Sequence, residues 1–113
     1  MAAKILVDFS HEARDLDGEK IILKYDDSGK PVFSTWSHLV RKLIIGEVSP
    51  QTNDDIMKYF GWCGELADNK PLELDEVDFD KLKRITIESR HNMHIKGPIL
   101  SIMNKSKIDS EKA

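Results

Sequence analysis

Between Asp26 and Pro31 the chain reads Asp-Asp-Ser-Gly-Lys-Pro, the strongest turn signal in the sequence. An earlier turn, Asp15-Leu16-Asp17-Gly18-Glu19, carries a glycine that supplies the positive φ of a tight reversal. The stretches between these turns are short and β-prone. Lys4-Ile5-Leu6-Val7-Asp8-Phe9, within residues 3–9, is the first, Ile21-Ile22-Leu23-Lys24-Tyr25 the second, and Val32-Phe33 opens a third. The first third of the chain therefore reads as extended segments joined by Asp/Gly turns.

After Phe33 the apolar period changes from strand-like to helical. Trp36, Leu39, Val40, Leu43 and Ile44 share one helical face, with Ser34 or Thr35 as the cap and Gly46 as the stop. Ser49-Pro50 predicts the next start. Ile56, Tyr59, Phe60, Cys63 and Ala67 form the apolar stripe of that second helix. Gly61 and Gly64 lie inside it, at about 1 kcal/mol each relative to alanine. Either a neighbouring element approaches closely there or the helix breaks near Gly61. A third helix starts at Asp75 as cap, with Asp78 at its positive end and Leu74 stapled onto Phe79. Its face continues through Leu82, Ile85 and Thr86. Gly97-Pro98 predicts a last short helix on Ile99, Leu100, Ile102 and Met103, followed by a frayed tail.

These elements make an α+β fold: a short N-terminal β-hairpin or meander packed on a bundle of three to four helices. With 113 residues, one globular domain over 1–104 and a disordered tail over 105–113 are expected. A hydrophobic fraction of 40% against 33% charged residues is apolar enough for a core. That core is expected to hold Ile5, Val7, Ile22, Trp36, Leu39, Leu43, Ile56, Phe60, Cys63, Phe79, Leu82, Ile85, Ile99 and Met103.

Cys63 is the single cysteine, so no internal disulfide can form and a reducing compartment is the simplest setting. The run Ile5-Leu6-Val7 is broken by Asp8, too short for a signal-peptide core or a membrane span. The expected location is the cytoplasm, away from the membrane.

No catalytic or metal motif is complete. His91 and His94 sit three apart, as two ligands on one helical face would, and Cys63 is a conceivable third. No second cysteine, HExxH or close carboxylate joins them, which leaves surface histidines near a helix end. Asp15-Leu16-Asp17-Gly18-Glu19 lacks the remaining ligands of a calcium loop and reads as a turn. Gly29-Lys30 has no upstream glycine, and Pro31 stands where a phosphate loop needs Ser or Thr. Cys63 falls on an apolar stripe, where a free thiol behaves as a small core hydrophobe. Ser37 and His38 are helical neighbours and point apart. No enzymatic activity and no cofactor are expected.

Surface is what remains to carry function. The formal charge of −3 is mild and argues against a general nucleic-acid binder. Its distribution is uneven. From Asp54 to Asp80 nine carboxylates face only Lys58 and Lys70, and from Lys81 onward the balance turns basic. The acidic run is either a solvated face with favourable charges at helix N-termini, or a surface that steers a basic partner. In the second case Asp75, Glu76, Asp78 and Asp80 are its centre. Trp62, beside the stripe of its helix, is either core or an interface anchor. The alternative surface is nucleic-acid binding by Lys81, Lys83, Arg84 and Arg90 on phosphates.

Asp15-Leu16-Asp17-Gly18, then Gly29-Lys30-Pro31, then a helix on Leu39 and Leu43 resembles the opening of small proteins of tailed-phage and prophage genomes. Leu72-Glu73-Leu74-Asp75 and Gly97-Pro98-Ile99-Leu100-Ser101-Ile102-Met103 extend the resemblance over residues 15–104. The segment Arg90-His91-Asn92-Met93-His94 departs from it. The resemblance implies a phage accessory or assembly product in the host cytoplasm, and it carries over no catalytic residue. The expected function is a non-enzymatic protein-binding or assembly module that acts through the acidic helical surface on a protein partner or through self-association.

Overall fold

The computed structural model describes residues 4–50 and 52–112, and helices outweigh strands in it. In chain order the elements are β1 (Ile5–Val7), β2 (Ile22–Tyr25), β3 (Pro31–Phe33), α1 (Trp36–Glu47), α2 (Asn53–Ala67), β4 (Leu72–Leu74), α3 (Glu76–Glu88) and α4 (Met93–Lys112). The fold is α+β, as the change of period at Phe33 predicts.

The turns do what their residues dictate. Gly18 and Gly29 sit at φ 83° and 82°, where a β-carbon is strained. Asp15 Oδ1 accepts from the N–H groups of Asp17 and Glu19, so the carboxylate of the calcium-like stretch is occupied in holding its own turn. Asp26 Oδ1 likewise accepts from Ser28 Oγ and from the N–H groups of Ser28 and Lys30. The Ser28 hydroxyl is the main reason its carboxyl titrates below the usual range. Around this turn β2 and β3 form an antiparallel hairpin that pairs Ile22 with Phe33 and Tyr25 with Pro31, with a bulge between Ile22 and Lys24.

β1 does not extend that hairpin into a meander. It pairs antiparallel with β4, Ile5 opposite Leu74 and Val7 opposite Leu72. Each strand alternates buried, exposed, buried, so both apolar rows enter the same core. Leu72-Glu73-Leu74 reads in sequence as the approach to a helix. Three residues are too few for a period-2 pattern to stand out until the partner strand, far off along the chain, is known.

Thr35, not Ser34, caps α1. Its hydroxyl accepts from the His38 N–H and donates to Asn69 Oδ1 at 2.7 Å, joining the start of α1 to the segment after α2. The N–H groups of Trp36 and Ser37 have no partner within the helix. They donate to the carbonyls of His11 and Phe9, and this fixes the loop after β1. Gly46 does not end the helix, which runs on to Glu47 with Val48 as an extended C-cap. α2 starts later than Ser49-Pro50 predicts. Thr52 caps it through the Asp55 N–H, and Gln51 lies outside the described residues.

One core unites the layers. Phe9, Leu43, Leu66, Phe79, Leu82 and Met103 are among its fully buried members. Of the expected core, Ile5, Val7, Trp36, Leu43, Phe79, Leu82, Ile99 and Met103 are buried, while Leu39, Cys63 and Ile85 pack against it half-buried. Three expectations are corrected: Ile22, Ile56 and Phe60 are exposed. Ile22 lies on the hairpin, whose strands pair mainly with one another. Ile56 and Phe60 lie on the flank of α2, because the helix buries Trp62 and Leu66 instead. Tyr59, Trp62 and Leu66 are spaced i, i+3, i+7, a rival stripe as good as the one read from sequence.

α4 also departs from expectation. It begins at Met93, with Pro98 inside it, and continues to Lys112 through the segment expected to fray. Asn92 starts it, accepting from the His94 N–H on Oδ1. Lys96 Nζ reaches back to the Ile87 carbonyl at 2.7 Å and ties α4 to the end of α3. The tail has its own anchors: Lys107 Nζ lies 5.6 Å from the Phe79 ring centroid, and Ser106 Oγ donates to the Ile102 carbonyl.

Asp75 caps α3 through the Asp78 N–H at 2.7 Å. Replacing Asp75 with Ala should therefore cost about 0.5–2 kcal/mol of stability. A urea transition with an unchanged midpoint would show that the cap contributes nothing.

Candidate functional site

The four carboxylates singled out in the sequence take different roles. Asp75 is committed to its cap. Asp78 Oδ1 receives Lys58 Nζ from α2 at 2.7 Å, and that hydrogen bond outweighs desolvation and raises the lysine above its ordinary range. A reciprocal pair runs the other way, from Lys81 Nζ to Asp55 Oδ1 at 3.1 Å. The two pairs clip α2 to α3, and at this partial exposure each is worth about 0–1 kcal/mol. Glu76 and Asp80 remain exposed. Of the basic set, Lys81 is thus engaged with Asp55, Lys83 is half-buried, and Arg84 and Arg90 are exposed.

Trp62 is only 8% exposed and belongs to the core. Its ring meets Tyr59 edge-on, with centroids 5.3 Å apart. His91 and His94 are exposed, and among the described residues no three His, Cys, Asp or Glu side chains gather as metal ligands would.

The arrangement that sequence reasoning missed lies between α1 and α2. Their antiparallel pairing leaves a groove of 350 Å³ with Ile45 and Val48 on one wall and Tyr59, Phe60 and Ala67 on the other. Its rims are large and apolar: Phe60 is 72% exposed and Ile45 59%. Ile56 and Met57 extend the apolar surface along α2. Single exposed hydrophobes are ordinary, but a contiguous set along a groove marks an interaction site.

Two polar groups stand in this apolar wall. Cys63 is half-buried, and burial pushes its thiol up, more than the nearby Arg41 charge pulls it down. It stays a neutral thiol at neutral pH, unsuited to nucleophilic attack. Arg41 lines the same groove, and its Nε is buried with no hydrogen-bond partner. An unpaired buried donor of this kind costs about 1–3 kcal/mol.

The glycines of α2 belong here as well. Neither explanation suggested by the sequence applies, because the helix is unbroken and a β-carbon built on Gly61 or Gly64 would meet nothing within 4 Å. Gly64 opens directly into the groove. The signal was present in the sequence as two glycines and a surplus of apolar residues on one helix, more than one buried face can use.

No family model matches the chain, and no curated protein or solved structure matches it.

Proposed function

We propose that this chain is a non-enzymatic protein-binding module that docks its partner on the α1–α2 face. The observation that carries this reading is the pair of exposed rims, Phe60 and Ile45, on either side of an apolar groove whose lining arginine has an unpartnered donor. A small molecule in the groove would leave much of Phe60 in water, whereas small-molecule sites enclose most of their ligand. A helical surface laid along the groove covers both rims at once. The acidic set of Glu76 and Asp80 then acts as a flanking field for encounter rather than as the anchor. An assembly role of this kind fits the accessory function that the tailed-phage resemblance implies.

Photo-crosslinking in the expressing cell tests the site. A benzophenone side chain at position 60 is expected to form a covalent protein adduct, and Ile45→Asp is expected to abolish it. The same group at position 25, on the exposed Tyr25 of the hairpin, is the control. Adducts from position 25 alone would place the docking surface elsewhere.

A further inference from the structure

We draw no further inference here: the strongest candidate, the outer face of the β1–β4 strand pair, where the exposed Leu6 lies between a hollow walled by Trp62 and Glu65 of α2 and another walled by Lys105 and Asp109 of α4, carries nothing because carboxylates and lysines line both hollows and nothing in the structure shows what covers them.

Discussion

Phe79→Ala is expected to lower the unfolding free energy by about 3–5 kcal/mol. Phe79 is fully buried and holds three elements together. It occupies the fourth helical position of α3, where it meets the fully buried Leu74 at the end of β4, and its N–H closes the first helical bond onto the Asp75 carbonyl. From the other side Lys107 of α4 covers the ring. Truncation opens a cavity that β4, α3 and α4 cannot all collapse into. For a domain whose whole stability is about 5–15 kcal/mol, that is a third of it or more. Urea unfolding of the two proteins, compared at equal m-value, measures the loss. Phe79→Leu should recover a large part of it. A loss under about 1 kcal/mol would mean that the staple is not packed as described.

This residue also shows what was legible in the sequence. The start of α3 is encoded within six residues: a capping carboxylate, an acidic first turn, and two apolar residues at staple spacing. Each acts on its immediate neighbours, so no knowledge of the rest of the chain is needed. The Asp/Gly turns are legible for the same reason. The pairing of β1 with β4 is not, because nothing in Ile5-Leu6-Val7 specifies a partner beyond a compatible alternation, and the nearer Ile21–Tyr25 segment offers a plausible one. The length of α4 was hidden by Pro98, which reads as a beginning but stands in the second turn of the helix. Asn92 provides the true start through its own side chain.

The candidate surface was legible only in fragments, for a different reason. Periodicity reports that a helix has an apolar face, not which of two faces the core takes. α2 carries enough apolar residues for both, and the stripe read from sequence includes Phe60 and excludes Trp62. Charge was misleading in the same way. The acidic run is continuous in sequence, yet in space Asp55 and Asp78 are spent between α2 and α3, and Glu65 lines a hollow with Trp62 and Leu72 on the flank of α2 away from the groove. A sum over sequence neighbours cannot separate paired from unpaired charge.

Trp62 and Phe60 give the second large contrast. Trp62→Ala should cost about 3–5 kcal/mol, since it removes a buried indole and its edge contact with Tyr59. Phe60→Ala should change the stability of the isolated chain by no more than about 0.5 kcal/mol, because that ring is mostly in water. The comparison must be made at concentrations low enough that association adds nothing to either protein, since binding to the folded state alone raises apparent stability. Equal losses for both variants at high dilution would mean that α2 buries Phe60 after all, and the groove would then have no exposed rim with which to dock anything. A loss confined to Trp62 assigns the indole to the fold and leaves the phenyl ring, two residues earlier on the same helix, to the surface.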